Sequence, residues 1–281
     1  MTNFWHDFSQ QAELVPVAPV IGAVTEAAAV MGIGCLIAGA FARDLLLHYR
    51  YGIPTIRKTD DLDFGLSVGS WSEFESLKDR LIAHQGFKPT RAPQRLRHPD
   101  GHLIDIVPFG AVETADRALL WPPEGDPEMD VFGFREALGD AHTILLPGKV
   151  RANLVSLPAL TMLKLVCWKD RHRRKPGKDA ADLALILGNY LEAGNADRLY
   201  EEFGQLLEDD NFEYEHSGPR MLGHDVRQLL DVAGRNRLDA ILVEQCSDEV
   251  PGVLPSEMNR NDPDRARAGL KALRKGLREA E

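Results

Sequence analysis

The sequence predicts an α+β protein: a mixed sheet flanked by helices over residues 1–155, then a helical domain over 156–281. Three observations lead there. Short apolar runs of strand length alternate with helical spacings up to about Leu154. From Leu157-Pro158 onward the apolar spacing is helical almost throughout. Between Gly39 and Phe64 a glycine turn precedes a strand that carries two carboxylates on one face.

The elements follow in order. Residues 1–18 carry little pattern and are broken by Pro16, with Pro19 just beyond. Ile21, Val24, Ala28 and Met31 recur at helical spacing, so a helix is predicted over about 20–31, stopped by Gly32. Gly34 to Ala38 is a short apolar strand, and Gly39 turns the chain into a helix from about Phe41 to Tyr49. Tyr51 to Asp60 is a loop holding Gly52, Pro54, Arg57 and Lys58. Asp61 to Val68 is a strand; its period of two puts Asp61 and Asp63 on one face and Leu62 and Phe64 in the core. Ser70 and Glu73 have capping-box spacing and open a helix to about Gln85, with Gly86 as its stop. Phe87 to His98 is strand-like but polar, with Arg91, Arg95 and Arg97 along it. Pro99-Asp100-Gly101 turns it into a hairpin with 102–109, where Asp105 shares a face with Leu103 and Val107. Residues 110–143 are irregular, and 143–157 hold one or two strands. Helices are predicted at about 158–172, 179–192, 196–208, 219–234, 237–247 and 263–279.

A net charge of −10 argues against indiscriminate nucleic-acid binding, which depends on neutralising phosphates. A local basic patch remains compatible with RNA, and Lys169 to Lys178 is the densest one, although cations at a helix C-terminus are also favoured on structural grounds. The basic stretch 263–279 reads as an amphipathic surface helix. Cys35, Cys167 and Cys246 are scattered and form no disulfide or zinc pattern, so a reducing, cytoplasmic location is expected. There is no basic-then-apolar leader and no run of 18 apolar residues, so neither secretion nor a membrane span is expected.

The chemistry concentrates on Asp61, Asp63 and Asp105. Side-by-side carboxylates repel unless a cation neutralises them, and hard oxygen donors suit Mg²⁺ or Mn²⁺. Neighbouring strands lie about 4.8 Å apart, so the three acids can meet at one sheet edge. Such a set fits a two-metal phosphoryl- or nucleotidyl-transfer site. The glycine turn lets backbone N–H groups approach a phosphate. The bland account is an acidic turn at 60–63 and an ion-paired Asp105. No P-loop and no His-Glu-x-x-His occurs.

Gly39-Ala40, Arg43-Asp44, Asp61-x-Asp63 and Asp105 together resemble the nucleotidyltransferase fold of the DNA polymerase β superfamily. Within it the chain is most similar to the AbiEii/AbiGii toxin type. Lys164 with Arg171, Lys178-Asp179-x-x-Asp182-Leu183, Ile104 to Gly110 and Ser156 to Leu160 extend the resemblance over about 20–190. It implies a metal-dependent enzyme that moves an NMP from an NTP to an acceptor hydroxyl, with tRNA or another RNA as one acceptor. It also implies a toxin-like role in a toxin–antitoxin or phage-defence pair, with a cognate antitoxin as partner. Asp61, Asp63 and Asp105 would hold the metal, and Asp105 would help activate the acceptor. The Gly39 and Ala40 backbone, Arg43, Lys164 and Arg171 would hold the triphosphate; Arg43 could instead pair with Asp61 or Asp63. Asp182 is a further candidate acid, although capping the next helix would explain Asp179 or Asp182 equally well. The helical domain would close the cleft. Ala40 stands where the family carries Gly or Ser, so it offers a backbone N–H and no hydroxyl.

Gly39-Ala40-x-x-Arg43-Asp44-Leu45-Leu46 is also similar to tRNA CCA-adding and poly(A) polymerase heads, but their later Arg-Arg-Asp-Phe-Thr motif does not occur, which counts against that reading; two others stay open. Arg57-Lys58-Thr59-Asp60-Asp61-Leu62-Asp63 is similar to a pattern of antibiotic adenylyltransferases acting on aminoglycosides or lincosamides. A catalytically degraded nucleotide-binding scaffold would account for Ala40.

Overall fold

The computed structural model describes residues 5–55, 61–123, 125, 128–209, 212–249 and 252–279. Arg57, Lys58 and Asp60 of the predicted loop lie outside them. The chain divides into two compact units, Met1–Ser156 and Leu157–Glu281.

Among the described residues the first unit holds an eight-stranded mixed sheet. Its strands are β1 (Trp5–Asp7), β2 (Gly34–Ala38), β3 (Asp61–Val68), β4 (Lys88–Pro89), β5 (Arg95–Arg97), β6 (Leu103–Gly110), β9 (His142–Leu146) and β10 (Val150–Leu154). The spatial order is β1-β9-β10-β2-β3-β6-β5-β4. β3 runs parallel to β6 and antiparallel to β2. Leu62, Phe64, Leu66 and Val68 are buried on one face of β3, as its alternation predicts. The helices α1 (Ala18–Val30) and α3 (Trp71–Gln85) pack on each other, α1 also against β2 and β10 and α3 against β3. The opposite, acid-bearing face is covered past Asp63 by α4 (Phe134–Gly139), whose Phe134 lies against Gly65 and stacks on Phe109. The acids therefore lie at the end of that face nearest the start of β3.

The predicted strands at 34–38 and 61–68 are observed with those bounds. The cap of α3 is observed with one change: Ser70 Oγ accepts from the Glu73 N–H at 3.2 Å, while Glu73 reaches the Gly69 N–H at 2.5 Å rather than that of Ser70. Other elements differ from expectation. Trp5–Asp7 forms an edge strand parallel to β9, which local pattern could not reveal because its partner lies more than 130 residues away. The polar stretch 87–98 pairs only over β4 and β5. The irregular segment 110–143 contains the hairpin β7 (Ala118–Leu120) and β8 (Glu128–Asp130), and then α4.

The edge strand brings a prediction. His6 is 8% exposed, and its ring centroid lies 5.2 Å from that of His142. Burial, His142 and Arg50 push the His6 imidazole down to about 4. The unfolded chain, with an ordinary imidazole near 6.5, therefore binds the proton first as pH falls. The stability this provides is complete above about pH 6.5 and is lost progressively towards pH 4, about 2 kcal/mol of it by pH 5. Urea denaturation at pH 7.5 and 5.0 should show this loss, and His6→Gln should reduce it. Equal losses in the two proteins would rule out His6 as the origin.

The second unit is helical: α5 (Leu157–Arg171), α6 (Lys178–Gly188), α7 (Ala196–Glu201), α8 (Tyr214–Gln228), α9 (Val232–Cys246), α10 (Val253–Met258) and α11 (Pro263–Arg278). α8 begins five residues before the predicted start, so Pro219 lies within it rather than at its head. Asp231 caps α9 by accepting from the Gly234 N–H at 2.7 Å, which splits what was expected to be one helix over 219–234. α10 was not expected; Glu257 on it accepts from Trp168 Nε1 on α5 at 2.8 Å. At the crossing of α8 and α11 a Cβ on Gly223 would lie 2.0 Å from the Leu273 carbonyl oxygen, and one on Gly276 would lie 1.9 Å from that of Arg220. The two backbones touch there without intervening side chains.

Candidate active site

Strand register assembles the site. Ala38 on β2 pairs with Asp63 on β3, Asp63 with Asp105 on β6, and Asp105 with Arg95 on β5. Directly paired side chains share a face, so one row across four strands carries two acids and an arginine. The next row runs from Asp61 to Leu103, then Arg97, then Lys88 on β4. Leu62, Phe64, Ile104, Ile106 and Leu96 anchor these strands from the buried face.

Arg95 ties the acids together. Its Nε donates to Asp105 Oδ1 at 2.7 Å and a terminal nitrogen donates to Asp105 Oδ2 at 2.6 Å. The same terminal nitrogen lies 3.6 Å from Asp61 Oδ2. Hydrogen bonds to Asp105 raise the arginine's pKa, with the charges of Asp105, Asp61 and Asp63 adding to them and partial burial opposing. The fork-to-carboxylate geometry fixes the Asp105 plane as well as its charge. Carboxylate repulsion, which the sequence assigned to a metal ion to relieve, is thus partly relieved by the chain's own guanidinium. Asp61 keeps 47% of its side chain exposed against 17% for Asp105.

The Asp63 carboxylate rests on the glycine turn. Gly39 has φ +72, and a Cβ there would lie 1.9 Å from Asp63 Oδ2. Gly39 begins α2 (Gly39–Asp44), which continues as one wider turn over Leu45–Tyr49. Ala40 is buried in its first turn. Arg43, also buried, donates from Nε and a terminal nitrogen to Asp44 Oδ1 at 2.9 and 2.5 Å. Asp61 and Asp63 offer the all-oxygen donor set that a hard divalent cation takes. Among the described residues, the group whose ligand atoms all lie within 4.8 Å of one another is Glu213, Glu215 and His216 in the second unit; the three aspartates are spaced more widely along the two rows.

The second unit gathers the other predicted residues. Lys164 and Arg171, seven apart on α5, both reach Asp179: Lys164 Nζ at 3.1 Å, and Arg171 with two donors at 2.7 and 2.8 Å. Lys164 Nζ also lies 2.5 Å from Asp182 Oδ2. Burial works to lower the Lys164 pKa, but Asp182 and Asp179 outweigh it and raise it. Burial works to raise the Asp179 pKa, but Arg171 and Lys164 prevail and lower it. Asp179 and Asp182 thus bind the cations of α5, and Gly177 occupies the N-cap position of α6. In the basic run, Lys169 pairs with Glu244 at 2.6 Å and His172 stacks on Trp168.

A family model described as "Nucleotidyl transferase AbiEii toxin, Type IV TA system" matches residues 32–272. The chain belongs to the AbiEii family. It is a nucleotidyltransferase, and its α+β architecture is that of the fold. The AbiEii family is one of toxins of type IV toxin–antitoxin systems. Among solved structures, the chain is similar to the antibiotic-resistance factor ANT(2″)-Ia at 15% identity, covering 69% of this chain and 95% of that one, with a TM-score of 0.36. It is similar to an antigenic nucleotidyltransferase-like protein from Paracoccidioides brasiliensis at 17% identity, over 72% and 93%, with a TM-score of 0.40. A Thermotoga maritima CCA-adding enzyme complexed with tRNA follows at 11% identity, over 96% and 82%, with a TM-score of 0.24. No curated protein matches the sequence. No helix among the described residues is long and apolar enough to cross a membrane.

Within this AbiEii chain the structure brings Gly39, Asp63 and Asp105 together and places Asp61 one row over. Arg43 bonds to its neighbour Asp44, and Lys164, Arg171 and Asp182 form one ion-paired cluster in the second unit. Sequence reasoning passed over Arg95 as a site residue. A signal for it existed: the β5–β6 pairs are symmetric about Asp100, so folding the hairpin at that turn sets Arg95 opposite Asp105.

Proposed function

We propose that this AbiEii enzyme moves a nucleoside monophosphate from an NTP to a hydroxyl of an RNA, with tRNA the leading candidate, using Mg²⁺ or Mn²⁺ held by Asp61 and Asp63. In the cell it acts as a toxin held in check by a cognate antitoxin. The supporting observation is the row Asp63–Asp105–Arg95 seated beside Gly39. A bound divalent cation supplies charge neutralisation to the triphosphate. The chain supplies the rest. Gly39 fixes the Asp63 carboxylate and leaves backbone room at the turn, where Ala40 and Arg43 take part in holding the phosphates. Arg95 fixes the Asp105 plane, and each Asp105 oxygen retains a free lone-pair direction for the acceptor hydroxyl. The acceptor oxygen bonds to the α-phosphorus, the bond to the β-phosphate oxygen breaks, pyrophosphate leaves, and the hydroxyl proton passes to Asp105. Lys164 and Arg171 keep the triphosphate-related role that the family resemblance implies, Asp182 stays the further candidate acid beside them, and Asp179 sets their geometry.

The test is transfer of label from each of the four α-labelled NTPs to bulk tRNA with Mg²⁺. Label should appear with at least one NTP, vanish with chelator, and fall about 10²-fold or more in Asp61→Asn. Label on an aminoglycoside but not on tRNA, or full activity in Asp61→Asn, would overturn the reading.

A further inference from the structure

The second row of the acid face ends in a charge arrangement that a sheet does not favour. Arg97 on β5 and Lys88 on β4 are directly paired residues. Like charges directly opposite on one face destabilise a strand pair. Both are exposed, and neither has an acidic partner among the described residues. Arg91, in the loop joining the two strands, is likewise exposed and has no acidic partner among them. That loop is held by Thr90, whose Oγ1 donates to the Arg95 carbonyl at 3.1 Å and accepts from the Ala92 N–H at 3.2 Å. Cations elsewhere are mostly satisfied. Lys271 pairs with Asp248, Arg274 with Asp239, Lys275 with Asp209, and Lys169 with Glu244. In a chain of net charge −10, three cations without a carboxylate partner among the described residues, two of them face to face, form a local excess of positive charge at one sheet edge. Violations of local rules of this kind concentrate at functional surfaces.

We propose that Lys88, Arg91 and Arg97 form a track for the sugar-phosphate backbone of the RNA acceptor, running along the sheet edge beside the acid row. This rests on the reading above that the acceptor is RNA. The counter-charge is then phosphate. Arg97 is two residues from Arg95, about 6.7 Å along the strand, and Lys88 is one strand further out, about 4.8 Å. The cations lead outward from the carboxylates instead of converging on one point. That suits a repeating chain of phosphates better than a single triphosphate. Arg95, committed to Asp105, separates the track from the acids and keeps the two signs of charge in order across β6, β5 and β4.

Lysine on an edge strand also deters edge-to-edge pairing, and the test separates the two roles. Full-length protein and the triple variant Lys88→Gln, Arg91→Gln, Arg97→Gln are titrated with fluorescent bulk tRNA over a range of salt concentrations. The wild type should bind with a steep salt dependence. In the variant the slope of log K against log salt should shrink by about 2, roughly 0.7 for each phosphate contact removed. NTP binding and the monomer–oligomer balance should stay as in the wild type. An unchanged slope overturns the track, as does a variant that self-associates without losing tRNA affinity, or one that loses NTP binding instead. So does a wild type with no salt-dependent tRNA binding. A wild type that binds tRNA along this track yet transfers no nucleotide to it sinks the acceptor assignment and leaves the track standing.

Discussion

Gly39→Ala is expected to reduce nucleotidyl transfer by about 10²- to 10³-fold while leaving the protein folded. Two effects combine at this position. The backbone is at φ +72, where a Cβ costs about 1 kcal/mol. The added Cβ would also lie 1.9 Å from Asp63 Oδ2 and 2.6 Å from its Cγ. Rotating Asp63 relieves the contacts with its Oδ2 and Cγ, while its Cβ, at 2.8 Å, stays fixed on β3, so the turn must also shift slightly. Rotation costs little stability, but it moves the carboxylate that the proposed chemistry needs. Asp63→Ala first removes the contacts with Oδ2 and Cγ and leaves the one with Cβ, so the destabilisation caused by Gly39→Ala should be smaller, but not abolished, in that background. That difference should be about 1 kcal/mol in a double-mutant cycle by urea denaturation. Additive stabilities, or a Gly39→Ala enzyme of full activity, would show that Asp63 does not depend on the missing side chain.

Gly276→Ala and Gly223→Ala are expected to behave in the opposite way, with large losses of stability. The atoms a new Cβ would meet are backbone: the Arg220 carbonyl oxygen at 1.9 Å and the His224 nitrogen at 2.9 Å for Gly276. For Gly223 they are the Leu273 carbonyl oxygen at 2.0 Å and the Leu277 nitrogen at 2.9 Å. Backbone cannot rotate aside, so α8 and α11 must separate, and the buried Leu273, Leu277 and Leu222 lose their packing. Each variant should lose about 3 kcal/mol or more, at the high end for overpacking. The double variant should lose less than twice that, because the first methyl already parts the helices. Circular dichroism through a urea titration measures both. A change within about 0.5 kcal/mol, the range of ordinary surface substitutions, would mean the helices do not need this contact.

The contrast explains how far the sequence could be read. Asp61 to Val68 was legible because one buried face and one acidic face produce a clear period of two, and Gly39 because a turn glycine stood between a strand and a helix. Asp105 was legible as a lone acid in an apolar strand. Arg95 was hidden because its own strand is three residues long and polar, and only cross-strand register gives it meaning. Arg43 was read as a phosphate contact or a partner of Asp61 or Asp63; the structure adds a bond to its neighbour Asp44, which spacing does not encode. Asp179 and Asp182 stood at a helix start, where capping explains an acid well. Their true partners, Lys164 and Arg171, lie on the preceding helix and are found only once α5 and α6 pack. In the irregular segment 110–143, the three-residue strands β7 and β8 are too short to show periodicity.

The strand order has a consequence for synthesis. β2, β3, β6, β5 and β4 all come from residues 34–110, whereas β9 and β10 come from 142–154. The acid row needs only the first group. As the chain leaves the ribosome, that row can close while the other side of β2 still waits for β10. Until β10 is made, the edge of β2 that it pairs with, one strand from the acid row, has no neighbour in the sheet. The last strand in sequence is therefore the one that encloses β2 in the middle of the sheet.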